Sequence, residues 1–178
     1  VEKLPLRGIR RTVAKRMAEA SKRVAEVTIW EDADITELEQ VRAKERKVAE
    51  EKGVKLTYLP FLIKAVIPAL NGHPYFNASL DEAAEAIILK KYFNIGIAVD
   101  TTDGLIVFVI KDADKKNILD LAKETATLAE KARLRKIDLH ELKGSTFTIT
   151  NYGVVGASYG TPIINYPEVA ILGLGKIE

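Results

Sequence analysis

The chain has 178 residues, of which 47% are hydrophobic and 29% are charged. Lys and Arg number 27 against 25 for Asp and Glu, so the net charge of +2 does not by itself indicate a nucleic acid or a membrane as partner. Cysteine is absent, which excludes disulfides, thiolate metal sites and a cysteine nucleophile. His73 and His140 are too far apart in sequence for a local zinc motif, so we expect no metal.

A chain of this length can bury a core without metals or disulfides, and we expect residues 1–178 to form a single domain. No apolar run reaches the roughly 20 residues of a membrane helix, and no hydrophobic signal segment begins the sequence. We therefore expect a soluble, cytoplasmic protein. Because the first residue is Val1, we expect the sequence to begin inside a longer parent chain. Abundant Lys and Glu, with Gln40 as the only glutamine, are typical of heat-adapted proteins.

The first predicted element is a helix after Pro5. Apolar residues recur there at helical spacing and form one stripe: Ile9, Val13, Met17, Ala20 and Val24. Much of the remaining surface is basic: Arg7, Arg10, Arg11, Lys15, Arg16, Lys22 and Arg23. Such a surface indicates either a solvated face or phosphate binding, and the pattern favours the solvated face.

Residues 26–35 alternate apolar and polar side chains, which predicts a β-strand. Trp30 lies on the polar side of this alternation, so we expect that side to be covered as well. Thr36 and Glu39 form a capping-box pattern, which predicts the start of a second helix that ends at Gly53.

A third helix is predicted from Thr57, as its N-cap, to Asn71-Gly72, and Pro68 is expected to kink or end it. Two β-hairpins follow, with turns at residues 81–85 and 100–104.

Residues 118–132 then show the periodicity of an amphipathic helix capped by Asn117. The segments STFTIT and EVAILGL predict two final strands. Hairpins mixed with helices predict a layered α/β sandwich with a mixed sheet rather than a doubly wound sheet.

Few residues in this pattern are suited to catalysis. His73 precedes Pro74 in a turn and His140 is predicted on a short exposed helix, so neither is expected to be a catalytic base. The segment GVVGAS lacks the lysine of a phosphate-binding loop and is interpreted as a connection. The acidic segment 112–117 lacks the glycine and the distal glutamate of a calcium loop.

Thr150 is the candidate that remains. It ends the apolar strand FTIT and is followed by Asn151 and a glycine-bearing loop. A hydroxyl at a strand end can donate to a developing oxyanion, and it can equally bond the backbone of the turn. On pattern alone the second interpretation is favoured.

Six blocks together resemble a known family in their order and spacing: LPLRGIRRTVAKRM, KLTYLPFLIKAV, NASLD, YFNIGIAVDTTDGLIV, FTITNYG and TPIINYPEVAILGLG. They closely resemble the catalytic domain of dihydrolipoamide acyltransferases, the core subunits of 2-oxo acid dehydrogenase complexes. The resemblance covers essentially the whole chain. It implies a chloramphenicol-acetyltransferase-like fold, a two-layer α/β sandwich with a mixed β-sheet and flanking helices. It also implies acyl transfer between a dihydrolipoyl group and coenzyme A, both bound as substrates.

The resemblance further implies the parts of the active site. In the family a histidine base deprotonates the attacking thiol and a hydroxyl stabilises the oxyanion, and that hydroxyl aligns with Thr150. The family histidine lies in a His-Arg-x-x-x-Asp-Gly motif after the PEVAILG strand, and this motif does not occur in the sequence. We therefore expect residues 1–178, as a domain truncated at both ends relative to its parent, to be inactive alone.

Family members form homotrimers and larger cages, with active sites between adjacent subunits. Their decarboxylase and dihydrolipoamide dehydrogenase partners bind through upstream domains that this sequence does not include. Two positions depart from the family: Glu26 replaces a common histidine, and Phe108 replaces a common proline, in regions near subunit contacts or the substrate channel. Either change is compatible with altered assembly or an engineered surface.

Two functions from different classes therefore remain open. The first is an acyltransferase core domain, and the alternative is a non-catalytic, truncated or engineered trimer scaffold that assembles by itself. A weaker third possibility is a nucleic-acid binder that uses the basic helix, which would require strongly salt-dependent binding. The acyl group is not specified by these blocks.

Overall fold

The computed structural model describes residues 1–178 and contains four α-helices and six β-strands. The helices are α1 (Gly8–Arg23), α2 (Thr36–Glu51), α3 (Leu59–Gly72) and α4 (Ile118–Arg133). The strands are β1 (Ala78–Asp81), β2 (Ala86–Leu89), β3 (Ile95–Thr101), β4 (Gly104–Ile110), β5 (Phe147–Asn151) and β6 (Ile171–Leu174). No helix is both long enough and apolar enough to cross a membrane.

Four strands form the main sheet in the order β4-β3-β5-β6. β3 and β4 are an antiparallel hairpin, whereas β5 runs parallel to both β3 and β6. β1 and β2 form a separate antiparallel hairpin. Both predicted hairpins and the predicted mixed sheet are therefore confirmed.

The two faces of the main sheet differ because successive residues of a strand point to opposite faces. One face, the helix-packed face, carries large apolar residues that form the core with α3 and α4: Ile95, Ile97, Val99, Phe108, Ile110, Phe147 and Ile149. The opposite face, the small-residue face, carries mostly smaller or polar residues along β3, β5 and β6, namely Gly96, Ala98, Thr148, Thr150 and Gly173, with Ile171 as a large apolar exception.

The fourth helix shows how local sequence builds this core. Asn117 caps α4 as predicted, because its side-chain oxygen accepts a hydrogen bond from Asp120 N at 2.9 Å. Leu121, Leu128 and Ala132 of α4 are buried, and they share one helical face that packs on the sheet.

The first helix is as predicted, with an apolar stripe and an exposed basic surface. Ala20 is fully buried, whereas Ile9, Val13 and Met17 are half-buried. Arg23 forms an ion pair with Glu82 at 2.6 Å in the turn of the first hairpin. The other basic residues of α1 are exposed to solvent.

The predicted strand at residues 26–35 is wrong. This segment forms no strand and pairs with no other strand of the chain, and the side chains of Val27 and Ile29 are 87% and 81% exposed. No part of this chain covers Val27 and Ile29 on the apolar side that the alternating pattern predicts. A strand also needs a hydrogen-bonding neighbour, and this chain does not supply one.

The predicted start of the second helix, α2, also needs correction. Thr36 does not form a capping box with Glu39; instead Asp34 accepts a hydrogen bond from Thr36 N at 2.9 Å. The Glu39 carboxylate accepts hydrogen bonds from Arg42 at 2.7 and 2.8 Å and from Tyr58 at 2.6 Å, and these compete with the predicted contact. α2 ends near Gly53 as predicted, and Gly53 has a positive φ of 70°.

The third helix begins after Tyr58, and no side chain caps it, so the proposed cap at Thr57 is wrong. Pro68 lies inside the helix, which continues to Gly72 as the Asn-Gly signal predicts. Pro68 therefore does not end the helix. Buried contacts of Ile63, Ile67 and Leu70 on the same helix stabilise it in spite of the missing N–H donor.

Phe108 is not a surface residue. Its side chain is fully buried on the helix-packed face, opposite Ile97 of β3. The expectation that Phe108 marks an engineered surface is therefore wrong, because its side chain lies in the core of this chain.

We expect Phe108→Ala to lower the free energy of unfolding by about 3–5 kcal/mol, because it removes a fully buried ring and leaves a cavity. Leu105→Ala is the matched control, since Leu105 lies on the same strand with 53% of its surface exposed. Urea unfolding of the two variants measures both changes. Equal losses in the two variants would contradict the assignment of Phe108 to the core.

Candidate functional site

Thr150 lies near the carboxyl end of β5, directly opposite Gly173 of β6. Its side chain is half-buried and points to the small-residue face, away from α3 and α4. The hydroxyl has no hydrogen-bond partner within the chain. Asn151 bonds the following turn instead, because its Oδ1 accepts from Val154 N at 3.3 Å. The Thr150 hydroxyl is thus available to an external acceptor.

The loop after Thr150 is held against β6 by a close fit around one aromatic ring. A Cβ atom on Gly173 would lie 2.6 Å from the Tyr152 ring, and one on Gly160 would lie 3.1 Å from it. Tyr152 N also donates to Leu174 O at 3.1 Å. The absence of side chains at both glycines therefore lets the ring pack directly beside the strand end that carries Thr150.

The segment before α2, residues 26–35, contacts the far side of the same loop. Glu26 accepts a hydrogen bond from Ile164 N at 2.9 Å, and Trp30 Nε1 donates to Gly160 O at 2.9 Å. Tyr159 donates to Asp32 at 3.4 Å, and the negative charge of Asp32 raises the pKa of Tyr159. Glu26 therefore connects the segment to this loop. The predicted covering of the side that carries Trp30 is wrong, because Trp30 is 51% exposed although its Nε1 bonds the loop.

A buried polar cluster lies below Thr150 on the same face of the sheet, and sequence reasoning missed it. We call it the Glu168 cluster; it consists of Ser145, Thr148, Asn165 and Glu168. Glu168 is 3% exposed. Its two carboxylate oxygens accept hydrogen bonds from Ser145 Oγ, from Thr148 Oγ1 at 2.6 Å and from Asn165 Nδ2 at 2.9 Å.

Burial raises the pKa of Glu168 above its ordinary value, because a charged carboxylate loses its hydration inside the protein. The hydrogen bonds from Ser145, Thr148 and Asn165, together with the positive charge of Lys90, favour the charged form and partly oppose this increase. Burial likewise lowers the pKa of Lys90. The partners of Glu168 thus offset only part of the effect of its burial.

The whole chain, residues 1–178, matches the sequence profile of the 2-oxoacid dehydrogenases acyltransferase (catalytic domain) family. The chain belongs to this family. The acyltransferase domain accordingly has the chloramphenicol-acetyltransferase-like fold that the sequence blocks implied, and solved structures of acyltransferase catalytic cores are similar to it.

Among curated relatives, the dihydrolipoyllysine-residue acetyltransferase component of the pyruvate dehydrogenase complex of Bacillus subtilis is 45% identical over 170 residues. The match covers 96% of this chain and 38% of the relative, so the chain spans well under half of that protein's length.

Two solved structures are equally similar in fold. The Azotobacter vinelandii dihydrolipoamide acetyltransferase, whose catalytic mechanism was investigated at a serine, a histidine and an asparagine, has a TM-score of 0.95 and 47% identity. The cubic core of a pyruvate dehydrogenase multienzyme complex has a TM-score of 0.95 and 46% identity. Each match covers 99% of this chain and 72% of the other chain.

Neither histidine of the acyltransferase domain is placed as a catalytic base. His73 is exposed between α3 and a short 3₁₀ turn, and His140 is exposed within the short 3₁₀ helix Leu139–Leu142. Neither imidazole makes a side-chain hydrogen bond that would orient it. The predicted surface positions of both residues are confirmed.

His140 has two acidic neighbours, Asp138 and Glu141, and potential ligand atoms of the three residues lie within 4.8 Å of one another. Both carboxylates already have partners. They form the capping box of the 3₁₀ helix, and Glu141 also pairs with Lys131 at 2.6 Å. We therefore assign no metal to this cluster.

The raised pKa of Glu168 predicts a pH dependence of stability. The folded protein holds this proton more tightly than the unfolded chain, whose glutamate pKa is near 4.5. The contribution to stability is therefore fully present below about pH 4.5 and is lost as the pH rises through the folded-state pKa. Glu168→Gln cannot titrate. The difference in unfolding free energy, wild type minus Glu168→Gln, should decrease from pH 4 to pH 8.

Urea unfolding across this pH range measures the difference. Glu130→Gln, at an exposed site on α4, is the control for loss of a surface carboxylate. A difference for Glu168→Gln that stays constant or grows with pH would contradict a raised pKa.

Proposed function

We propose that the chain is the catalytic core of a dihydrolipoyllysine acyltransferase that moves an acyl group between dihydrolipoamide and coenzyme A, with Thr150 as the oxyanion donor. The observation that carries the proposal is the half-buried Thr150 hydroxyl, which lies at a strand end without an internal partner. Family membership and the named activity of the Bacillus subtilis relative support the reaction class.

The chemistry is a thioester exchange. A thiolate attacks the thioester carbonyl, the carbonyl oxygen becomes a tetrahedral oxyanion, and the other thiolate leaves as the carbonyl re-forms. A hydroxyl that donates to this oxyanion stabilises the transition state more than the ground state. A serine is one of the residues investigated in the mechanism of the Azotobacter vinelandii relative, and Thr150 offers the same functional group.

Residues 1–178 supply this donor but no positioned base for the thiol. His73 and His140 are exposed and have no orienting partner. We infer that the base comes from a histidine outside these residues, in line with the histidine investigated in the Azotobacter vinelandii relative. Side chains can supply both the base and the oxyanion donor, so the proposed mechanism includes no metal.

We further propose that the chain forms a homotrimer, which can build a larger cage. Apolar side chains are exposed on two segments, Val27 and Ile29 before α2, and Leu80, Ile87 and Ile88 in the β1–β2 hairpin. Exposed apolar surface of this kind is typical of association surfaces. The cubic core formed by a structural relative supports repeated self-association.

In this proposal residues 1–178 are one domain of a longer, heat-adapted protein of a prokaryotic cytoplasm. Decarboxylase and dihydrolipoamide dehydrogenase subunits would bind to other parts of that protein. The bacterial relative, of which this chain spans 38%, supports the placement in a longer chain. The alternative function, a non-catalytic trimer scaffold, rests on the same exposed apolar segments and differs in having no acyl transfer.

In the full-length protein, Thr150→Val is expected to lower kcat for acetyl transfer from acetyl-CoA to dihydrolipoamide about 10²–10³-fold, because it removes the oxyanion donor. Thr150→Ser keeps a hydroxyl and is the matched control, with most of the activity retained. The isolated 178-residue chain should be slower than the full-length protein by about 10²–10⁴-fold, since it lacks the base.

Steady-state kinetics with both substrates distinguish the outcomes. Unchanged kcat in Thr150→Val would remove Thr150 from the mechanism. Full activity of the isolated chain would show that the base lies within residues 1–178. No transfer by full-length wild type would favour the scaffold function.

A substitution in the β1–β2 hairpin tests whether its exposed apolar residues form the trimer interface. Ile87→Asp is expected to convert the trimer to monomers, because it places a charge in an apolar contact. Thr127→Asp adds the same charge to an exposed site on α4 and should leave the trimer intact. Sedimentation velocity measures the mass. A monomeric wild type would contradict the proposed assembly, and a trimeric Ile87→Asp would exclude the hairpin from the interface.

A further inference from the structure

We propose that Glu168 is a positioning residue that holds β5 in the orientation in which Thr150 presents its hydroxyl to the oxyanion. This inference rests on the proposed function, and it assigns a role to a buried carboxylate that the transfer chemistry itself does not use. Glu168 does not touch the reacting atoms in this proposal; it acts through Thr148 and the backbone of β5.

The first support is the set of segments that the Glu168 cluster joins. Ser145 lies just before β5 and Thr148 lies within it, whereas Asn165 and Glu168 belong to the turn that leads into β6. The hydrogen bonds to the carboxylate therefore cross-link β5 to the segment entering β6. The backbone ladder continues the same connection, pairing Thr148 with Ile171 and Thr150 with Gly173.

The second support is the alternation of side chains along β5. Thr148 and Thr150 are two residues apart, so they point to the same face, about 7 Å from each other along the strand. On the other face, Phe147 and Ile149 are packed into the core. Core contacts of Phe147 and Ile149 hold one face of β5, and the hydrogen bond from Thr148 to Glu168 holds the other face. Together they restrict rotation of the strand about its own axis just before Thr150.

The third support is the space that the neighbouring strand leaves for the cluster. A Cβ atom on Gly96 of β3 would lie 2.7 Å from Thr148 Oγ1, 2.9 Å from Val107 and 3.2 Å from Ser145. Any larger residue at this position would displace the two hydroxyl residues that donate to Glu168. The glycine at position 96, which has no side chain, therefore leaves room in a central strand for the polar cluster.

A carboxylate and its neutral amide analogue differ in the hydrogen bonds that they can accept at this position. Two hydroxyls and one amide converge on Glu168, and an ionised carboxylate is an acceptor at both oxygens. A glutamine would offer one acceptor oxygen and would place an NH₂ group among donors. The hydroxyls would have to turn, or the Asn165 amide would have to flip, to accept from that NH₂ group, so the hydrogen-bond pattern of the cluster would have to change. An aspartate keeps both oxygens and loses one methylene of reach.

The test compares kcat of single and double variants of the full-length protein. Glu168→Gln is expected to lower kcat for acetyl transfer about 10–100-fold, the loss that a small misplacement of a catalytic group produces. KM for acetyl-CoA should change much less, because Glu168 does not contact the substrate in this proposal. Glu168→Asp should recover part of the loss, and the exposed Glu130→Gln should have no effect.

The double variant distinguishes positioning from a general structural defect. If Glu168 acts through the Thr150 hydroxyl, Glu168→Gln should lower kcat only slightly in a Thr150→Val background, because that hydroxyl is already absent. Equal fold losses in both backgrounds would overturn the proposal. Ser145→Ala removes a single donor and serves as the milder variant if Glu168→Gln does not fold. It should show a smaller loss of kcat that also disappears in Thr150→Val.

Hydrogen exchange provides a readout that does not depend on activity. The amides of Thr150 and Asn151 should exchange faster in Glu168→Gln than in wild type, whereas those of α4 should not. Unchanged exchange at β5 would overturn the inference even if the enzyme is active. Faster exchange at β5 together with an inactive full-length wild type would overturn the proposed function, while the control of β5 by Glu168 would stand.

Discussion

The alternation of side chains along β5 is the constraint on which the rest of the structure depends. β5 runs parallel to both of its neighbours, so it cannot shift without disturbing two hydrogen-bond ladders. Phe147 and Ile149 must face the core, which forces Thr148 and Thr150 onto the opposite face. A slip of one residue would bury the threonines against α3 and α4 and expose the apolar pair. Core packing therefore determines the direction of the candidate oxyanion donor.

The elements that the sequence predicted correctly are those whose signals are local. The two hairpins follow from turn residues between apolar segments, and α4 follows from its periodicity and the Asn117 cap. The strand expected at residues 26–35 failed because its pattern records an apolar side and says nothing about a neighbouring strand. The capping box failed because Glu39 has stronger partners in Arg42 and Tyr58. Those partners are three and nineteen residues away, and only the folded chain brings the distant one close.

The candidate site was predictable only in part for the same reason. Thr150 stands out in the sequence because it ends an apolar strand before a glycine-bearing loop. Glu168 shows no such signal, since a glutamate after a proline is typical of an exposed turn. Its burial arises because the turn before β6 folds back onto β5 and meets Ser145 and Thr148. Twenty residues of chain separate Thr148 from Glu168, so no short window of sequence could have indicated the contact.

Glu168 is an unfavourable choice if stability alone is considered. Burying a carboxylate costs free energy that hydrogen bonds recover only in part, and apolar residues of similar volume are often at least as stable in such a place. The structure keeps Gly96 free of a side chain beside the hydroxyls of the cluster, so the adjacent strand is adapted to it as well. Glu168 bonds the side chain of Thr148, and Gly96 pairs with the same residue. Two such departures from an apolar interior are expected where a fold gives up stability to hold a functional group. The burial of Glu168 costs free energy, and through Thr148 and β5 the same carboxyl group helps to fix the position of the Thr150 hydroxyl.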